Sequence, residues 1–176
     1  MLKITLITLA VLAIGFAIVA AMQPSEFRVT RGETINAPVE KVFAQVNAPR
    51  NWKAWSPWVK FDPEAQFTYE GPEAGVGGIT KWSGNNKIGE GSSTVVESRK
   101  NEFIKFRLEF VRPMKAVNTS EFTFKPEGKQ TLVTWTMYGP NNFIGKAMGL
   151  IMNCQKMVGD QFAEGLQNLK AVAEKK

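Results

Sequence analysis

The rhythm of apolar positions divides the chain in two. Residues 4 to 22, ITLITLAVLAIGFAIVAAM, are nineteen positions without a charge or an amphipathic period. At about 1.5 Å per residue this run just reaches the ~30 Å hydrocarbon thickness of a bilayer. Thr5 and Thr8 are tolerated in such a helix because their hydroxyls can return to the backbone. A secretory signal core holds only about 7–15 apolar residues. The longer run therefore favours an uncleaved transmembrane anchor over residues 1–22, although Lys3 and the small VAA before Met22 also suit a signal peptide. Positive charge nearly balances across the run, with Lys3 before it and Arg28 and Arg31 after it. A three-residue tail followed directly by an apolar run resembles a signal-anchor, which places the remainder on the outer, extracytoplasmic side. QPS (23–25) reads as a linker to a folded domain over 26–176.

Beyond the linker the pattern changes. FRVTRGETI (27–35) has β-branched residues in partial alternation and predicts a strand. NAPVEKVFAQVNAP follows, with Asn36 as a candidate cap and Pro38 early. Val39, Val42, Phe43 and Val46 recur at helical spacing until Pro49. RNWKAW predicts a short second helix stopped by Pro57. From 67 to 138 the chain reads as antiparallel strands with short turns. Directly paired residues share a face, so parity links the hairpins. A two-residue turn at Lys100-Asn101 pairs Phe106 with Val95, Leu108 with Ser93 and Phe110 with Gly91. One at Asn85-Asn86 pairs Gly91 with Thr80 and Gly89 with Trp82. One at Glu127-Gly128 pairs Phe122 with Val133 and brings Trp135 and Met137 to the same side. The hairpins agree on one apolar face, with Glu97 and Ser120 near its ends, and an odd-length loop would break that agreement. From NNF (141–143) to the C-terminus the spacing predicts one long helix, with Ile151, Val158, Phe162, Leu166, Leu169 and Val172 on a stripe. Gly149, Gly159 and Gly165 are expected where its backbone approaches the sheet. No other element is long enough to cover that helix, so the sheet must wrap around it.

Composition mainly removes options. The net charge of +6 is spread along the chain without a concentrated basic stripe, so no nucleic-acid partner is expected. There is no histidine, which removes the usual triad base and His-containing metal sites. The single cysteine, Cys154, gives neither an internal disulfide nor a Cys-x-x-Cys pair and reads as an inert thiol. GPEAGVGG (71–78) lacks the strand-to-helix context of a dinucleotide loop. No cofactor or metal is expected.

The order strand, two small helices, antiparallel strands, long helix is joined by particular segments: INAPVEKVFAQVN, NWKAWSPW, YEGPEAGVGGITKWSGN, GEGSSTVVES and PEGKQTLVTWTMYG. Together these resemble the polyketide cyclase/dehydrase group of the START-like (SRPBCC) superfamily from about residue 26 to 174. The resemblance implies an α+β helix-grip (Bet v 1-like) fold: a curved antiparallel sheet gripping the C-terminal helix around an elongated cavity. Its members bind lipids, sterols, polyketides or other apolar molecules, and some catalyse cyclisation or dehydration.

The expected cavity wall follows from the shared face. It takes Thr80, Trp82, Ser93, Phe106, Leu108 and Phe110 from the first strands, and Phe122, Trp135 and Met137 from the last. Phe162 is expected to face it from the helix. Trp52 and Trp55, at i and i+3, share a side of the short helix and suit a wedge, with Trp55 or Trp58 at the cavity mouth. Met148 and Met152 suit a movable lid or, more plainly, packing. Acid–base catalysis needs a titratable group within reach of the reacting proton. Tyr69, Tyr138, Glu90 and Asp62 are the conceivable ones, and none has a visible partner. The chain is therefore expected to bind a hydrophobic or amphipathic, lipid-like molecule beside the membrane. A cyclase/dehydrase-type enzyme in the same cavity and a protein-interaction module are the alternatives.

Overall fold

A computed structural model describes residues 1–175 of the chain. Its elements in order are α1 (Leu2–Ala21), β1 (Glu26–Ile35) and α2 (Val39–Asn47), then two 3₁₀ turns, Pro49–Ala54 and Pro57–Phe61. There follow β2 (Gln66–Glu70), β3 (Ile79–Ser83), β4 (Glu90–Arg99), β5 (Phe103–Arg112), β6 (Ala116–Glu127), β7 (Gln130–Pro140), α3 (Phe143–Ile151) and α4 (Cys154–Ala173). The strands form one seven-stranded antiparallel sheet in the order β1-β7-β6-β5-β4-β3-β2. Its concave face holds α4, which is the helix-grip arrangement.

Alternation makes the gripping face. On β7, Thr131, Val133, Trp135, Met137 and Gly139 are buried while the residues between them reach outward. Trp135 stacks on Phe162 of α4 at 4.0 Å between ring centroids and on Phe122 of β6 at 4.7 Å. Gly165 lets α4 approach this closely: a Cβ there would lie 2.8 Å from the Trp135 ring and 3.1 Å from Pro57. Gly159 likewise lies against Arg31 of β1, whereas Gly149 meets nothing. The second half of α4 buries Leu166, Leu169 and Ala173 in one core with Val39, Val42, Phe43 and Val46 of α2.

The hairpin registers differ from expectation in an instructive way. In β4–β5 the pairs Val95–Phe106, Ser93–Leu108 and Gly91–Phe110 are present. The loop, however, is three residues long, from Arg99–Phe103 pairing, and a bulge at Val96 supplies the compensating extra residue. Beyond that bulge Glu97 pairs with Lys105 on the outer face, not the concave one. In β3–β4 the pairs are Thr80–Ser93 and Trp82–Gly91, and in β6–β7 Phe122 faces Trp135. Both registers are shifted by two residues, an even number, so the expected face survives.

Four local expectations are corrected. The short second helix is the pair of 3₁₀ turns, split at Trp55-Ser56 by the Pro57 start of the second. The C-terminal helix is two helices, because the chain leaves helical geometry at Met152 and Asn153 restarts it by accepting a hydrogen bond from the Lys156 amide. Ile151 consequently leaves the buried stripe and is 76% exposed. Asn36 does not cap α2; its backbone N–H donates to Glu174, while Pro38 occupies the cap position.

α1 is apolar beyond Lys3 and exposed except at half-buried Ala17 and buried Ala20, and by length and composition it can cross a membrane. Its C-terminal end packs against α3, where Lys146 Nζ donates to the Ala21 carbonyl at 3.4 Å.

Candidate functional site

The concave face is closed at one side and open at the other. Where β1 and β7 lie under α4 and β6 lies under the first 3₁₀ turn, aromatic rings fill the space. Where β2 to β5 curve past the first turns of α4, a cavity of about 340 Å³ remains. Trp82, Ser93, Phe106, Leu108 and Phe110 form its floor, with Phe67, Tyr69 and Thr80 on the outer strands and Met137 beyond. Trp52, Ser56, Trp58 and Val59 of the 3₁₀ turns and Val158 and Gln161 of α4 form the opposite wall. Asn86, Lys87, Ile88, Arg112 and Pro113 line one end, and Pro49 and Lys53 complete the lining.

Each tryptophan is held by its indole N–H, and buried indoles need such a partner. Trp58 Nε1 donates to Gln161 Oε1 at 3.1 Å, joining the second 3₁₀ turn to α4 at the cavity edge. Trp82 Nε1 donates to the Ile88 carbonyl at 3.1 Å, and its ring meets Phe110 edge-on at 5.7 Å. Gly91, opposite Trp82 on β4, supplies the space, since a Cβ there would lie 2.6 Å from that ring. Trp52 donates to the Val46 carbonyl at 2.8 Å and Trp55 to the Gln45 carbonyl at 3.2 Å. Trp135 donates to the buried hydroxyl of Ser120 at 2.9 Å.

Among the expected wall residues, Trp58, Thr80, Trp82, Ser93, Phe106, Leu108, Phe110 and Met137 come together around the cavity. Trp55, Phe122, Trp135 and Phe162 do not reach it. They are almost fully buried in the aromatic block under α4, with Trp52 wedged among them 4.5 Å from Trp55 and 5.9 Å from Trp135. Met148 and Met152 lie on and after α3, exposed and outside the lining, so they form no lid over it. Phe67 joins the wall beside Tyr69, and the alternation of the two on β2 is readable in the sequence. Val158 and Gln161 had a signal in their i, i+3 spacing, while Lys53 and Asn86–Ile88 had none, because loop conformation brings them in.

The charges sit apart from the apolar wall. Lys53, Lys87 and Arg112 are the charged lining residues, all exposed. Asp62 is buried and structural: Oδ2 accepts from the Asn85 amide at 2.6 Å and Oδ1 from the Glu64 amide at 3.2 Å, fixing the β3–β4 loop. Glu90 pairs with Arg112 at 3.0 Å. Tyr138 is on the outer face, where its hydroxyl donates to Glu121 at 2.8 Å and Lys105 reaches the same carboxylate at 3.2 Å. Hydrogen bonding to Glu121 raises both the Lys105 and Tyr138 pKa values. Hydrogen bonding to Glu33 similarly raises that of Lys170. Among the described residues no group of three side chains could hold a metal ion.

Known structures share this architecture. Protein CV1439 from Chromobacterium violaceum is 16% identical with a TM-score of 0.61, covering 88% of this chain and all of its own. The Aha1 dimer from Colwellia psychrerythraea is 18% identical with a TM-score of 0.60, covering 84% of this chain and 96% of that one. The di-domain ARO/CYC BexL of the BE-7585A biosynthetic pathway is 16% identical with a TM-score of 0.62, covering 90% of this chain and 53% of that one. At such identities the likeness concerns the fold. No curated protein matches the chain. Residues 26–174, from the first strand to the end of α4, match a family as a whole, and the chain belongs to that family, described as polyketide cyclase / dehydrase and lipid transport.

Proposed function

We propose that this chain is a membrane-tethered binder of a lipid-like molecule, held in the cavity between β2–β5 and the first half of α4. The observation that carries this reading is the cavity itself. Its volume of about 340 Å³ has an aromatic and aliphatic wall, hydroxyls from Tyr69, Thr80 and Ser93, and cations at exposed positions. Apolar walls with a few polar groups suit small-molecule sites, where burial supplies affinity and the polar groups orient the ligand. Each methylene taken from water contributes about 0.8 kcal/mol. Lys53 and Lys87, without an ion-pair partner among the described residues, favour an anionic head group over a neutral one. The apolar α1, long enough to cross a membrane, is the tether in this reading.

Cyclisation or dehydration in the same cavity would need an acid or base beside the ligand. Tyr69, Lys53, Lys87 and Arg112 are the ionisable residues of the lining, and no lining residue is a carboxylate. Binding therefore fits the wall better than catalysis. The test uses the full chain in detergent micelles with a fluorescent polyene fatty acid, read by energy transfer from tryptophan. Saturable transfer is expected, and Leu108→Trp, which fills the cavity, should abolish saturable binding without changing the circular dichroism. Equal saturable binding by the variant would remove this reading.

A further inference from the structure

One end of the sheet gathers the features that a bilayer surface would meet. β1 starts there and β7 ends there through the pair Glu26–Pro140. β6 starts and β5 ends through Phe110–Ala116, and β4 starts through Glu90–Arg112. α1 enters β1 at this end, and α3, which follows β7, packs against the last turn of α1. The cavity points the same way. Of its exposed lining residues, Asn86, Lys87 and Pro113 in loops and Arg112 at the end of β5 all lie at this end, and Lys53 is the exception.

The surface here is apolar where water would be expected. Ile144, Ile151 and Met152 are exposed on and after α3, and Val111, Met114 and Val117 are exposed around the β5–β6 turn. Clusters of exposed apolar side chains mark protein or membrane contacts. The charges between them are unbalanced in one direction. Glu26, Glu90 and Asp160 are each paired, with Arg28, Arg112 and Lys156. Lys87, Lys115 and Lys146 have no carboxylate at ion-pair distance among the described residues. Apolar side chains flanked by unpaired lysines match the acyl chains and anionic head groups of a lipid surface.

We infer that α3 and the β5–β6 turn form a docking face that rests on the anionic bilayer surface, bringing the cavity mouth to the level of the lipid head groups. The occupant is a lipid surface and not a protein because the membrane-crossing length of α1 leaves the domain at this same end. The inference rests on the tethering read in the preceding section. It adds an orientation: the domain lies on the membrane and does not stand away from it on the 23–25 linker.

The test uses the full chain in phosphatidylcholine vesicles containing phosphatidylglycerol. Cys154 is the only cysteine, so a Cys154→Ser background allows one label at a time. An environment-sensitive fluorophore is attached at Met114→Cys, Ile151→Cys or Lys129→Cys. All three positions are exposed, and Lys129 lies in the β6–β7 turn at the opposite end of the sheet. Labels at 114 and 151 are expected to shift to the blue and to be quenched by lipids spin-labelled near the head group, with 129 unaffected. The position-114 label decides most, since the β5–β6 turn belongs to a separate segment from α1 and α3. Emission at 114 matching that at 129 would overturn the docking face, whatever 151 reports. Adding Leu108→Trp keeps the two proposals apart: it should leave the 114 signal intact while fatty-acid binding is lost. Retained ligand binding without the 114 signal defeats docking alone, and the reverse defeats the binding proposal alone.

Discussion

Trp135 and Trp82 both point from the same concave face, yet one is locked in a core and the other borders a void. Trp135, on β7, is 1% exposed between Phe122 and Phe162, with its indole bonded to Ser120. Trp82, on β3, is half-buried, touching Phe110 edge-on and the backbone of its own loop. Side-chain chemistry does not separate the two halves of the face. Cover separates them: α4 lies along β1, and Gly165 brings it down onto Trp135 of β7. β2 and β3 curve out of its reach. One pattern of aromatic residues therefore makes a core where α4 packs directly onto it and a cavity wall where α4 only borders it.

The contrast is sharpest under truncation. Trp135→Ala should cost about 3–5 kcal/mol, the range for deleting a large aromatic from a packed core. Trp82→Ala should cost about 1 kcal/mol and yet lose most of the fatty-acid binding. Urea unfolding of both variants, with the binding assay alongside, checks this; equal stability losses would erase the distinction between the halves. Gly165→Val probes the cover itself. Its side chain meets the Trp135 ring and Pro57, so overpacking of about 1–3 kcal/mol is expected, measurable as a lowered urea midpoint. At the cavity edge, Asp62→Ala orphans the amides of Asn85 and Glu64. A loss of about 1–3 kcal/mol is expected for part-buried hydrogen bonds to a charged acceptor. Amide exchange of Asn85 should quicken by at least tenfold, while that of Val133 stays slow.

How much of this was written in the sequence depends on which force set each feature. Face assignment was legible because it depends on parity, and the two register slips were even. The β4–β5 hairpin shows how narrowly that succeeded. Its three-residue loop alone would have reversed the face, and the Val96 bulge restored it. The bulge also sent Glu97 outward to Lys105, which no pattern of alternation announced. The split between core and cavity was not legible. Phe122 and Phe110 look alike on their strands, but Trp52 and Trp55 and the neighbouring rings bury the first, while the second is left half-open. The break at Met152 was hidden for a related reason: an apolar run continues through it, so the pattern reads as one helix. Position in the sheet, more than residue type, decided what each aromatic does.

The smallest expected effect lies on the outer face, away from both halves. Lys105 and Tyr138 there, and separately Lys170 on α4 beside Glu33 of β1, have raised pKa values, so each holds its proton more tightly when folded. Their contribution is complete below the ordinary values of about 10 for tyrosine and 10.4 for lysine and is lost as pH rises through the raised ones. Thermal stability should therefore fall as pH climbs above about 10. Glu121→Gln, which removes the shared acceptor charge, should make that alkaline fall shallower. An unchanged pH profile in the variant would mean that the cluster contributes nothing to stability.

Native mass spectrometry of the full chain released from lipid nanodiscs tests the central claim most directly. The account predicts a one-to-one lipid adduct on the unmodified chain and its disappearance in Leu108→Trp, with both proteins equally folded. An adduct of equal abundance on the two proteins, or none on either, would contradict it.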